Sequence, residues 1–179
     1  MPIIIALIGV IGAVYFFVHR ARNAANMTGE LLDVANDVRL AARRFGFSRR
    51  TNLHPVEAIE DPEIAIAAIG WAFVELDQLP SAEQQLMLKK ALHKHRNLSL
   101  EAAEEMMILG RWLVSESGGA FPAVSRLTRK LIRLQPRDES FFTPLMSVLS
   151  EVTNKGGSSK ISDRQSDALD DIRRAYRIT

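Results

Sequence analysis

The chain has 179 residues, of which 47% are hydrophobic and 25% are charged, with a formal net charge of +2 and no cysteine. This composition is typical of an ordered protein, and the length allows one domain with a proper core plus an additional segment. The absence of cysteine excludes disulfides, thiolate metal sites and cysteine nucleophiles. The small net charge excludes a protein that binds polyelectrolytes over its whole surface.

The N-terminal run PIIIALIGVIGAVYFFV, at positions 2–18, carries no charge. As a helix, it would span about 26 Å, which is short but sufficient to cross a bilayer. No Lys or Arg precedes the run, whereas HRAR (19–22) follows it at once, which is the reverse of the order in a secretory signal peptide. The positive-inside rule therefore predicts a single transmembrane helix at residues 1–18 of a bacterial inner-membrane protein, with the N-terminus outside and the remainder in the cytoplasm. A buried core helix is the alternative interpretation.

The same run contains a pair of small residues, Gly9 and Ala13, four positions apart. Pairs of this spacing let two membrane helices approach closely. A homodimer through the transmembrane helix is therefore a hypothesis.

The juxtamembrane segment, residues 19–58, is predicted to hold a helix from Thr28 to about residue 44, followed by the basic and aromatic stretch RRFGFSRR. Residues 19–50 contain seven arginines and three acidic residues, which gives a net charge of +4 (7 − 3). An anionic leaflet attracts each nearby arginine by about 1 kcal/mol. A solvated linker that obeys the positive-inside rule is the favoured interpretation, lipid contact is the alternative, and contact with nucleic acid is the least favoured. The residues predicted to contact lipid are Arg43, Arg44, Arg49 and Arg50.

Residues 59–179 show helix signals throughout and no convincing alternating strand. The first predicted helix follows Asp61, and the spacing of its apolar residues from Ile64 to Leu76 indicates one apolar face. Gly118 and Gly119 end the third helix, and further helices are expected at about 122–134 and from 138 or 143. The predicted fold class is therefore all-α, with one transmembrane helix followed by a compact bundle of about six to seven helices. Capping residues predict three more starts, at Ser81 with Gln84, at Ser99, and at Ser162 with Gln165.

Two stretches, VELDQLPSAEQQLMLKKAL and VTNKGGSSKISDRQSDALDDI, echo each other. Each begins at a helix end, crosses a polar turn, passes a serine near a cap and enters an amphipathic helix. The echo indicates a duplicated helix–turn–helix unit, the second with a longer turn. It predicts that the C-terminal helix belongs to the domain.

Over residues 59–179, this layout resembles the TerB-like family, an all-helical domain with two helix–turn–helix units marked by a motif Asp-Gly-x-hydrophobic-x-x-x-Glu. In the first turn, LDQLPSAE, Asp77 stands at the motif's start, Gln78 replaces the glycine, and Glu83 falls one residue short of the family spacing. The second turn keeps Ile161 but has Ser158 and Gln165 at the acidic positions. A membrane helix before such a domain also resembles the front half of DjlA-type membrane-anchored J-domain co-chaperones, although the only His-Pro here is in HPV (54–56).

The resemblance implies a divalent-metal site at the acidic turn, with Asp77 and Glu83 as ligands and Glu75 nearby. Calcium takes six to eight oxygens, and this turn lacks the Asp-x-Asp-x-Asp-Gly pattern that wraps one. The favoured interpretation is therefore a helix junction without a cofactor, in which Glu83 is a first-turn acid stabilised by the helix dipole.

Two further features are candidates for packing or contact. Trp71 and Trp112 lie on apolar runs and are predicted to pack in the core or at an interface. RLTRKLIR (126–133) forms a basic helix face that is either solvated or part of a partner groove. No nucleophile or acid–base pair assembles, so no enzyme is predicted. We expect a membrane-anchored cytoplasmic TerB-like interaction module, linked to stress response or chaperone work, with an unknown protein partner. The alternative is a metal-ion-responsive sensor.

Overall fold

The computed structural model of the chain describes residues 35–50, 52–134, 141–155 and 161–177. The chain divides between Asp37 and Val38, and Val38–Thr179 forms one compact unit. Every regular element in the described residues is helical, which confirms the all-α class for that part of the chain. None of their helices is long and apolar enough to cross a membrane. The predicted span at 1–18, with its Gly9 and Ala13 pair, lies outside the described residues.

The helical elements follow the predicted order, and capping explains where several begin. Asp61 accepts a hydrogen bond from the backbone N–H of Glu63 at 2.9 Å. Ser81 and Gln84 form the predicted reciprocal capping box, with bonds of 3.2 and 2.9 Å. The elements are α1 at 35–44, a 3-10 helix at Pro55–Ala58, α2 at Pro62–Glu75, α3 at Ala82–Arg96, α4 at Leu100–Glu116, α5 at Ala120–Leu134, α6 at Phe142–Lys155 and α7 at Asp163–Arg177.

Helix α2 lies at the centre of the compact unit. All its residues from Ile64 to Val74 are buried, and α3, α4, α5 and α6 pack around it. The sequence predicts a single apolar face here, whereas the structure buries every side. A helix that is apolar on every side is stable only when neighbouring helices bury its whole surface, so α2 lies at the centre.

Helix α4 approaches α2 most closely at Gly110. A Cβ atom added there would lie 2.9 Å from the Cα and 3.1 Å from the nitrogen of Ala68. The two backbones are therefore in contact at this point, because Gly110 has no side chain and Ala68 has only a methyl group.

The C-terminal helix α7 is part of the bundle, as the internal echo predicts. Its capping pair, Ser162 with Gln165, is present, although the return bond to the serine N–H is long at 3.4 Å. Gln165 also donates to the carbonyl of Phe73 at 3.3 Å, and Arg164 donates to that of Leu76 at 3.3 Å. These bonds satisfy carbonyls at the end of α2, which an isolated helix would leave unpaired. Apolar residues of α7 complete the core, namely Ala168, Leu169 and Ile172.

Two ion-paired clusters attach the end of α3 to its neighbours. Arg96 forms a two-bonded pair with Glu63 of α2 and lies over the ring of Phe141 at 5.5 Å. Hydrogen bonding to Glu63 raises the pKa of the Arg96 guanidinium. Lys94 and His95 both contact the carboxylate of Glu151 on α6, at 2.9 and 2.6 Å.

Candidate functional site

The two acids singled out as metal ligands lie on either side of the α2–α3 turn. Asp77 is in the loop that follows α2, and Glu83 is in the first turn of α3. Both side chains are exposed, and neither forms a hydrogen bond or ion pair with another described residue. Glu75 is engaged elsewhere, because its carboxylate accepts a 2.6 Å hydrogen bond from the indole N–H of Trp71.

The described residues offer no further metal ligand beside Asp77 and Glu83 at this turn. Within them, no group of three or more His, Asp or Glu side chains is placed to hold an ion. The exposed carboxylate of Glu83 instead lies at the positive end of α3, where an acid contributes about 0.3–1 kcal/mol to the helix. The capping box of Ser81 and Gln84 defines the start of α3 at this turn.

The four arginines predicted to contact lipid lie along the start of the compact unit. Arg44 pairs with Glu105 of α4 at 2.6 Å, and Arg49 reaches Glu116 at 3.5 Å. Arg50 pairs with Glu60 at 3.0 Å. Arg43 is exposed and has no ion-pair partner in the described part of the chain.

The partners of these arginines do not decide between lipid contact and a solvated linker. Ion pairs this exposed contribute about 0–1 kcal/mol each, which is comparable with the attraction of an anionic leaflet. The aromatic residues of the stretch are partly buried, and Phe47 packs edge-to-face on Trp112 with ring centroids 5.8 Å apart. Arg49 lies over the same indole at 5.7 Å. Lipid contact by the arginines stays a prediction.

A groove of about 350 Å³ lies between α2, α3 and α4, which we call the α3–α4 groove. Its floor includes Trp71, and its sides include Met107 and Ile108 of α4. Leu86 of α3 stands at the edge and is 42% exposed, and Leu79 in the preceding loop is 82% exposed. The first turns of α3, which follow the acidic motif, thus border a groove with a mixed polar and apolar lining.

The charges of the α3–α4 groove are unevenly compensated. Lys89 of α3 pairs with Glu104 of α4 at 3.1 Å. Arg111 lies over the ring of Trp71 at 5.9 Å, and no carboxylate pairs with it among the described residues. The groove therefore carries one uncompensated positive charge beside the apolar side chains of Leu86 and Ile108, an arrangement that fits a partner segment with apolar side chains and an acid.

Sequence reasoning did not find this groove. It placed Trp71 in the core or at an interface, and the structure has it 5% exposed and also lining the groove. Met107 and Arg111 gave no signal, because a core-facing methionine and a surface arginine are ordinary on a helix. Only the packing of three helices brings them together.

No protein-family model matches the chain, and neither a curated protein nor a solved structure matches it significantly.

Proposed function

We propose that this protein is a membrane-anchored, non-enzymatic interaction module of the cytoplasmic face of the inner membrane. The uncharged run at 2–18 followed by HRAR supports the anchor and its orientation. The resemblance of residues 59–179 to the TerB-like family supports a role in stress response or chaperone-linked work. The module acts by holding a protein partner close to the membrane.

The observation that carries the proposal is the α3–α4 groove, a mixed polar and apolar concavity with the exposed Leu86 at its edge. Leu86 is exposed at the edge of this groove, whose lining also includes Ile108, and Leu79, in the loop before α3, is 82% exposed. Interfaces between proteins combine apolar contacts with polar and charged ones, as the lining of this groove does. The capping box of α3 holds Leu86 on a rigid helix rather than on a flexible loop.

The partner segment is inferred from the chemistry of the groove. Apolar side chains would cover Leu86 and Ile108, and an acidic side chain would pair with Arg111, which lacks a carboxylate among the described residues. An amphipathic helix with an acidic edge meets both requirements.

Site-specific photocrosslinking in native membranes tests the proposal. A photoreactive residue replaces Leu79, three residues before Ala82 of the groove lining, or Ile161, which is 44% exposed and does not line the groove. We expect a defined protein adduct at position 79 and none at 161. Arg111→Glu should reduce the adduct at position 79 severalfold, because it places a like charge opposite the partner's acid. Arg126→Glu on α5 is the matched control and should leave it unchanged.

Three results would contradict the proposal. They are equal adducts at the two positions, no adduct at 79, or an adduct at 79 that survives Arg111→Glu. The anchor is checked in the same membranes, since the chain should resist alkaline carbonate extraction and lose that resistance when residues 1–18 are deleted.

A further inference from the structure

A second groove, of about 390 Å³, lies between α5 and α7, and we call it the α5–α7 groove. Its walls are apolar, with Val124 of α5 facing Ala168 and Ile172 of α7. Phe121 stands at its edge and is 75% exposed. The volume falls in the range of small-molecule sites, which are about 300–1,000 Å³.

The groove contains a buried hydroxyl without a partner. Thr128 lines it and is 2% exposed, and its Oγ1 atom makes no hydrogen bond in the described part of the chain. A hydroxyl inside a helix can bond to the carbonyl four residues earlier, as Ser147 does to that of Thr143 at 2.9 Å. A buried polar group left unpaired is destabilising, so Thr128 is a group that an occupant of the groove would satisfy.

The charges around the groove favour an anion. Arg174 of α7 pairs with Asp171 of the same helix at 3.2 Å. Arg129 of α5 donates from Nε to the carbonyl of Ser125 at 3.3 Å, and no carboxylate pairs with it among the described residues. Two arginines and one aspartate line the groove, so one positive charge is uncompensated. That charge is on Arg129, the residue that follows Thr128 in the chain.

We propose that the α5–α7 groove binds a small monocarboxylate with a compact apolar body. The carboxylate accepts hydrogen bonds from the guanidinium of Arg129 and from the hydroxyl of Thr128. The apolar body lies against Val124 and Ile172, with Phe121 covering its open side. Arginine suits this role because its fork of donors matches a carboxylate. The site shares no lining residue with the α3–α4 groove, so it is independent of the function proposed above.

Calorimetric titration of the full chain in lipid nanodiscs tests the site, with empty nanodiscs as the blank. The probe is 3-phenylpropionate, a water-soluble acid with a compact apolar body, and 3-phenylpropan-1-ol is its neutral analogue. We expect saturable binding of the acid at millimolar concentration or below, and binding of the alcohol at least about tenfold weaker, because a charge-assisted hydrogen bond is lost.

Two variants test whether Arg129 and Thr128 donate to the carboxylate. Arg129→Gln should weaken binding of the acid about tenfold, whereas Arg126→Gln, on the same helix and outside the groove, should not. Thr128→Val keeps the shape of the side chain and should weaken binding severalfold without lowering the midpoint of urea unfolding, because it removes an unpaired buried hydroxyl. The proposal is wrong if the acid does not bind, if the alcohol binds equally well, or if either Arg129→Gln or Thr128→Val binds as the parent does.

Discussion

The close approach of α4 to α2 gives a prediction whose size follows from the structure. In Gly110→Ala, the new Cβ meets three backbone atoms of α2, at 2.9 and 3.1 Å on Ala68 and at 3.3 Å on Ala67. Overpacking costs about 1–3 kcal/mol, and a backbone obstacle, which cannot rotate away, favours the upper half of that range. Replacing glycine by alanine inside a helix returns about 1 kcal/mol. We therefore expect a net loss of about 1–2 kcal/mol in the free energy of unfolding.

Gly70→Ala is the matched control, because its nearest contact is shorter but is with a side-chain atom that can move. The added Cβ there lies 2.6 Å from Cδ1 of Leu88, a side-chain end, and the next atoms of Leu88 are at 3.7 and 3.8 Å. A small rotation of Leu88 relieves this contact, so Gly70→Ala should lose less stability than Gly110→Ala.

Urea unfolding followed by tryptophan fluorescence measures both variants. Trp71 on α2 and Trp112 on α4 report directly on the two helices that are forced apart. The reasoning is refuted if Gly110→Ala is as stable as the parent, or if Gly70→Ala is the less stable of the two.

Two further predictions concern titration and metal ions. Burial raises the pKa of Tyr176 to about 12, so its contribution to stability should be complete below pH about 10 and lost as the pH rises towards 12. Tyr176→Phe should remove that part of the alkaline loss, and an unchanged pH profile would contradict this. Millimolar calcium or manganese should leave the unfolding temperature unchanged, because Asp77 and Glu83 are exposed and form no larger acidic cluster in the described residues. A rise that Asp77→Asn or Glu83→Gln abolishes would instead support the metal-responsive sensor.

Helix starts are the feature that sequence reasoning predicts best. The bonds of Asp61 to Glu63 and of Ser81 to Gln84 join residues two or three positions apart, so the residue types alone indicate them. The burial of α2 was harder to predict. Its spacing indicates one apolar face, yet Ala67 and Gly70 on the other sides are also buried. Small residues carry little hydrophobic signal, although they are what allows neighbouring helices to approach closely.

The candidate sites were less accessible to sequence reasoning. Asp77 and Glu83 stand out because a local motif frames them, but the structure places both in solvent without a third ligand in the part of the chain it describes. Arg44 is one of several similar arginines in the sequence, and its pairing with Glu105 joins positions 61 residues apart. No local pattern distinguishes an arginine that a distant acid will meet.

The sequence by itself determined the all-α class of the described residues, the capped starts of α2, α3, α4 and α7, and the membership of the C-terminal helix in the domain. These features depend on periodicity and on hydrogen bonds that reach a few residues along the chain. Only the tertiary structure decided that α2 is buried on every side, that Leu86 borders a groove, and that Thr128 is enclosed without a partner. Grooves and unpaired groups arise where helices distant in sequence pack imperfectly against one another, and that mismatch exists only after the helices have come together.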